Sequence, residues 1–325
     1  MAAPSVTLDV HLDDGALRAT LERDVRAGLG GSPKSIPATW FYDEEGSRIF
    51  EEITRLPEYY ATRAERSLLR SNALDIARLA GADTLVELGA GSCEKTSLLL
   101  DAMGRRRTLE SYVPFDVSAV FLKEAAGTIA NRYPGLHVHT VVGDFLRHLG
   151  TIPASGRRLI AFLGGTVGNL VPDQRARFFR ALRDTSMPDD HLLLGADLVK
   201  DRNRVIAAYN DSSGVTARFN RNVLTVLNRE LGADFALERF EHVVRWREDA
   251  KWIEMRLRST VDQRIALPAL DMSAHFDAGE DLLTEVSAKF TPRGIVEELD
   301  GAGFRTERQW TTARDDFLLT LARPA

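Results

Sequence analysis

Cysteine is nearly absent. A single one, Cys93, stands among 325 residues, which excludes an internal disulfide. Long apolar runs are missing too. No stretch approaches the roughly 20 residues that a membrane span needs, and residues 1–31, which carry Asp9, Asp13, Asp14, Glu22 and Asp24, contain no apolar run of signal-peptide length. Basic runs are also lacking: 42 Lys and Arg face 47 Asp and Glu, a net charge of -5, so the electrostatic footprint that attracts phosphate backbones is not there. These absences lead to the expectation of a cytoplasmic protein, monomeric, with neither nucleic acid nor membrane as partner. No internal repeat, Ser-His-Asp order or phosphate-binding loop is found. His137 and His139 share a strand face, but no cysteine or further paired His/carboxylate motif completes a metal set, so no metal is expected.

What is present is a globular composition, 44% hydrophobic and 27% charged, with length for about two domains. Apolar residues recur at helical spacing in 16–29 and around Ile49, Ile53 and Leu56, between Pro33, Pro37 and Pro57, so the first 80 residues read as mainly helical. Buried-strand candidates then follow at 84–88, 112–115, 137–142, 158–163 and 191–196. Helices are expected between them at 95–103, 119–132 and 173–184, the last after Pro172 as a breaker. This alternation predicts an α/β, Rossmann-like, doubly wound parallel sheet. After Lys200 the rhythm changes: helices near 205–209 and 220–231, then alternating segments at 241–246 and 252–258, read as an inserted lobe. A last helix at 291–302 and a last strand at 317–322 bring the chain back to the sheet.

Chemistry concentrates where the strands end. Gly89-Ala90-Gly91 follows the first of these strands, and glycine there lets backbone approach a nucleotide-like ligand. The third glycine of the dinucleotide fingerprint would fall at Glu94, whose carboxylate would repel a pyrophosphate, so NAD is disfavoured. S-adenosylmethionine carries an ammonium and a sulfonium and no phosphate, and Glu87 suits it electrostatically. Asp116 ends the next strand, where a carboxylate can accept from ribose hydroxyls. Asp144 follows Gly143, where it can accept from the adenine amine, and Phe145 can cover a ring face. Each aspartate has an alternative reading as a helix cap, and Gly-x-Gly alone is a weak signal. Lys95 stands at a helix start, a poor place for a cation, and a carboxylate partner such as the methionyl group of the cofactor would explain it.

The fourth strand is followed by Leu163-Gly164-Gly165-Thr166-Val167-Gly168-Asn169-Leu170. Its glycines expose backbone, and Asn169 offers a donor and an acceptor to a small acceptor's carboxylate or amine, or else serves as a turn residue. On their own, Tyr59 and Tyr209 read as packing residues rather than ligands. In the alternating run Thr284-Glu285-Val286-Ser287, Glu285 and Ser287 share a face.

These motifs together resemble the histidine-specific methyltransferases of ergothioneine biosynthesis, which convert L-histidine to its Nα-trimethyl betaine, hercynine, with three molecules of S-adenosylmethionine. The resemblance is nearly full length. It rests on Pro33-Lys34-Ser35, Trp40-Phe41-Tyr42-Asp43, Thr54 to Tyr60, Glu87 to Thr96, Phe162 to Leu170, Phe219-Asn220-Arg221-Asn222 and Leu283 to Ser287. It implies that Asn169 and Tyr209 hold the histidine carboxylate, that Tyr59 walls the same pocket with Gly164 in the glycine turn, and that Glu285 and Ser287 engage the imidazole beside Met255. Tyr42 resembles a tyrosine near the amine being methylated, a place from which it, or water beside it, receives the amine proton during in-line displacement. Ala90 and Cys93 stand where serine is common, and Ala288 where cysteine or another residue is expected, departures that bear on cofactor affinity and leave the acceptor contacts in place. The expected layout is a methyltransferase domain of 61–199 and 288–325, with a discontinuous α+β substrate domain of 1–60 and 200–287. The alternatives are a methyltransferase for another free amino acid or for RNA, and a non-catalytic S-adenosylmethionine-binding protein.

Overall fold

A computed structural model describes residues 5–91 and 95–325. Cys93 and Glu94, on which two of the expectations rest, lie outside the described residues. The N-terminal half contains β1 (Ser5–Val10), α1 (Asp14–Gly30), α2 (Glu44–Arg55), α3 (Tyr60–Ala80), β2 (Thr84–Leu88), α4 (Thr96–Arg105), β3 (Ser111–Asp116), α5 (Ala119–Arg132), β4 (His137–Val142) and β5 (Arg158–Phe162). The chain continues through α6 (Pro172–Thr185), β6 (His191–Asp197), α7 (Arg202–Tyr209), α8 (Val215–Leu231), β7 (Phe240–Arg247), β8 (Trp252–Ser259), β9 (Gln263–Leu267) and β10 (Met272–Phe276). It closes with β11 (Asp281–Ala288), α9 (Pro292–Gly301), β12 (Phe304–Thr311) and β13 (Phe317–Pro324).

These elements form two compact units. The first takes the N-terminal segment up to Leu12 with Ala61–Val199 and Lys289–Ala325; the second takes Asp13–Tyr60 and Lys200–Ala288. Relative to the expected partition, the residues up to Leu12 change sides and Ala288 belongs with the second unit. The cause is β1, which the helical reading of the first 80 residues did not contain: it pairs in parallel with β4, Ser5 opposite His137 through Val10 opposite Val142. Its partner lies far away in the chain, so no local pattern announces the pairing.

The first unit is built on an eight-stranded sheet in the order β1-β4-β3-β2-β5-β6-β13-β12. The neighbours from β1 to β6 run parallel, while β13 and β12 are antiparallel. β2 and β6 are buried along their whole length, which is why they read as continuous apolar runs. Chain order reverses between β2 and β5, and in such sheets ligands settle at the carboxyl ends of the strands flanking that reversal. Pro172 does not break α6 but starts it, standing in its first turn, where a missing N–H costs nothing and the ring presets φ.

The second unit packs α1, α2 and α8 against antiparallel strands. Leu21, Val25 and Leu29 of α1, Ile49 and Ile53 of α2, and Val223 and Leu227 of α8 are apolar residues four positions apart that meet in one core with Leu257, Ile265 and Phe276. The sheets are β11-β8-β7 and the hairpin β9-β10, which the sequence reading missed, as it missed β12 in the first unit.

Candidate functional site

In the first unit the ends of β2, β3 and β4 are tied together. Gly89 donates its N–H to the Phe115 carbonyl at 2.8 Å, and Gly143 donates to that of Asp116 at 2.9 Å. Gly89 and Gly91 have φ of 72° and 50°, in the region that side chains avoid, and a Cβ at either would meet none of the described atoms within 4 Å. The turn is therefore glycine-built and open, with Ala90 buried between. Asp116 accepts from the N–H of Gly91 at 3.3 Å on one oxygen and of Ser118 at 3.1 Å on the other, with the Val117 N–H also turned toward it, three donors for about four acceptor sites. Burial pushes this carboxyl up against the pull of those N–H groups. Asp144 turns its own loop by accepting from the N–H of Leu146 at 2.8 Å, while Phe145 sits edge-on to Phe162 at 5.2 Å. The capping reading of the aspartates is thus compatible with the ligand reading, since two or three partners do not exhaust a carboxylate's acceptor sites.

Glu87 is buried beneath the turn. One oxygen accepts from the hydroxyls of Thr96 and, at 2.7 Å, Tyr112. Burial, the dominant influence, pushes its carboxyl up to about 7. Lys95 has a protein partner: its ammonium pairs with Glu65 of α3, which is 0% exposed. The other Glu65 oxygen accepts from the Gly164 N–H at 2.7 Å. Glu65 thus joins two expected site residues, and sequence reasoning overlooked it. A carboxylate among Ala61, Ala64, Leu68 and Leu69, on the apolar side of a helix, was the available signal. These residues fit S-adenosylmethionine: open glycine turns for close approach, Asp116 and Asp144 with acceptor capacity beyond the bonds just given, and acidic groups outnumbering the cations beside them, Lys95 and the Arg147 that pairs with Asp144 at 3.5 Å.

The expected acceptor residues divide between the units. Gly164 and Asn169, the latter half-buried in the short 3-10 turn Thr166–Asn169, belong to the first. Tyr42, Tyr59, Tyr209, Met255, Glu285 and Ser287 belong to the second. Tyr209, at the end of α7, donates its hydroxyl to Ser287 Oγ at 2.7 Å. Met255 on β8 stands directly opposite Glu285 on β11, and both are buried. The register shifts between Leu283 and Glu285, so Thr284 and Glu285 are both buried although adjacent. Aromatic rings continue the set: Tyr209 to Tyr59 at 6.4 Å, Tyr59 to Phe50 at 6.2 Å, Phe50 to Tyr42 at 5.6 Å and Tyr42 to Phe219 at 5.4 Å. Phe50 and Phe219 were not anticipated as neighbours of the site.

Among the described residues no group of three or more His, Cys, Asp or Glu is arranged to hold a metal, and no helix is long and apolar enough to cross a membrane. His139 is engaged by Asp9, its Nε2 lying 2.7 Å from the carboxylate.

The sequence family described as histidine-specific methyltransferase, SAM-dependent, matches residues 21–324. A histidine N-alpha-methyltransferase of Mycolicibacterium smegmatis is 54% identical over 98% of this chain and 99% of its own length. The protein of the same name from Mycobacterium tuberculosis is 51% identical over the same shares. Ergothioneine biosynthesis protein 1 of Neurospora crassa is 30% identical over 63% of this chain, which corresponds to 24% of that longer protein. A match this long, with the glycine turn and the strand-end carboxylates in place, makes the chain a member of the histidine-specific, S-adenosylmethionine-dependent methyltransferase family.

Proposed function

We propose that the protein methylates the α-amine of free L-histidine three times, forming hercynine in the first step of ergothioneine biosynthesis. The observation that carries this is the second unit's cluster, in which buried Glu285 faces Met255 across two strands while Ser287 receives the Tyr209 hydroxyl. A buried carboxylate beside a hydroxyl matches the donor and acceptor of an imidazole, and the histidine-named relatives support that substrate.

Gly89, Ala90, Gly91, Asp116, Asp144 and Phe145 would hold the adenosyl cofactor, which supplies a methyl group activated by its sulfonium. Glu87, Glu65 and Lys95 shape and charge the turn beneath it. Asn169 and Tyr209 take the histidine carboxylate, Glu285 and Ser287 the imidazole, and Tyr59 and Gly164 complete the walls. The α-amine is protonated at neutral pH and must shed that proton before it can act as a nucleophile. Tyr42, or water beside it, takes that proton; where Tyr42 takes it, the phenol's own hydroxyl proton passes on to water, so the ring stays neutral and solvent is the final acceptor. Anchoring by carboxylate and imidazole leaves the nitrogen unencumbered, as repeated methylation demands. The protein works as a cytoplasmic monomer without a metal, so chelators leave activity unchanged and light scattering gives the mass of one chain.

The test is incubation with S-adenosylmethionine and each free amino acid in turn, followed by mass analysis. Three successive methyl additions to histidine alone are expected; no mass gain on histidine refutes the reading.

A further inference from the structure

The run Phe219-Asn220-Arg221-Asn222 on α8 carries part of the family resemblance, yet its two asparagines have no role in the function just described. Residues two apart on a helix lie about 200° around its axis, so Asn220 and Asn222 leave α8 on opposite sides. Both are buried, 0% and 6% exposed.

Asn222 faces the segment that carries Tyr42. Its Nδ2 donates to Asp43 Oδ1 at 2.7 Å and to the Phe41 carbonyl at 3.2 Å, holding the chain on either side of that tyrosine. Asn220 faces the sheet. Its Oδ1 accepts from the Thr284 hydroxyl at 2.6 Å, and its Nδ2 donates to the Arg256 carbonyl at 3.1 Å. Thr284 and Arg256 are the chain neighbours of Glu285 and Met255. Nδ2 also lies 2.8 Å from His242 Nδ1, and His242 Nε2 lies 2.9 Å from the Tyr209 carbonyl. A carbonyl only accepts, so Nε2 carries the proton and Nδ1 accepts from Asn220. Burial, opposed by the bond to the Tyr209 carbonyl and by Asp211 and reinforced by Arg221, holds this imidazole below its ordinary pKa, in the neutral form the chain of bonds requires.

We propose that α8 is a two-sided clamp for the acceptor residues: Asn220 sets Tyr209 through His242 and Glu285 through Thr284, while Asn222 sets Tyr42. Both are positioning residues, and the clamp rests on the function proposed above. Buried polar groups tied by directional bonds to several segments at once favour one arrangement of their neighbours, which an apolar side chain of the same size would not enforce.

The two sides make separable predictions in steady-state kinetics with the full chain, varying histidine at saturating S-adenosylmethionine. Asn220→Ala raises the histidine KM about tenfold with kcat nearly unchanged; Asn222→Ala lowers kcat about tenfold with KM nearly unchanged. Cofactor affinity, measured by calorimetry, stays at the wild-type value in both. Should Asn220→Ala fail to fold, Thr284→Val, which removes only the hydroxyl, gives the same rise in KM; Asn222→Ser replaces Asn222→Ala on the same ground. A role in stability alone would reduce the amount of folded enzyme, lowering apparent kcat with KM unchanged in both variants, so kcat is expressed per cofactor-binding site counted in the same calorimetry; an unchanged KM in Asn220→Ala, or an unchanged kcat per binding site in Asn222→Ala, overturns the clamp while wild-type turnover of histidine stands. A wild type that leaves histidine unmethylated overturns the proposed function and the clamp with it.

Discussion

Replacing Glu87 with glutamine is a sharp probe of the cofactor turn. The side chain is buried, and the one oxygen that receives the Thr96 and Tyr112 hydroxyls can be matched by a carboxamide oxygen, which also accepts twice. The substitution therefore removes charge and little else. Burial raises this carboxyl from 4.5 to about 7, which makes its ionised form about 3 kcal/mol more costly in the folded protein than in the unfolded chain. Between those two values the folded state binds more protons than the unfolded one, so this group's contribution to stability is greatest below pH 4.5. It falls as pH rises through the window and levels off above about 7. Glu87→Gln has nothing there to titrate. Urea unfolding of both proteins from about pH 5 to about pH 8 isolates the group, because every other titration is common to the two curves. The stability of the variant relative to wild type should climb by about 2 kcal/mol over that range. Cofactor affinity runs the other way: it is similar in the two proteins at about pH 5 and weaker in the variant at about pH 8, where wild type places a carboxylate near a cationic ligand. A stability difference that stays flat with pH would refute the account of Glu87 as a buried, strained charge.

Glu65→Gln keeps an acceptor for the Gly164 N–H but loses the charge that Lys95 pairs with, so calorimetry should show cofactor affinity falling about fivefold. Lys95→Met should do the same, and the double variant should be no weaker than either single one. Glu285→Ala should raise the histidine KM sharply while cofactor affinity holds; an unchanged KM would remove Glu285 from the imidazole site. At Gly46 on α2 a Cβ would fall 1.7 Å from the Phe41 carbonyl, so Gly46→Ala should cost about 1–3 kcal/mol in urea unfolding and displace the Tyr42 segment.

The strands that flank the cofactor turn were legible because their signal is local. β2 and β4 match the sequence reading residue for residue: each is a short, largely buried run rich in Val and Leu, and glycine marks its end. α5 matches too. β1, β9, β10 and β12 escaped for different reasons. β1 has exposed Val6, Leu8 and Val10 and depends on a distant partner for its hydrogen bonds. β9 and β10 form a hairpin that is buried only at alternate positions, a pattern shared with many solvated turns. β12 is mostly solvated along its length and owes its form to β13.

A similar division runs through the candidate site, and it separates residues by what they do. Gly89, Gly91, Asp116 and Asp144, which are proposed to meet the cofactor, declare themselves because they sit where backbone ends its ladder, and the sequence marks those ends. Glu65, Asn220, Asn222 and His242 do not, because each is defined by partners far away in the chain: Glu65 lies 99 positions from Gly164, Asn220 lies 64 from Thr284 and Asn222 lies 179 from Asp43. In isolation an asparagine inside a helix reads as a weak helix former and a buried glutamate as a solvated one. Their meaning appears only when the helix is packed, and a side chain that is costly to bury turns out to bond segments distant in the chain. Polar residues on the apolar side of a helix are therefore where positioning residues are to be sought, and α3 and α8 each supply a case.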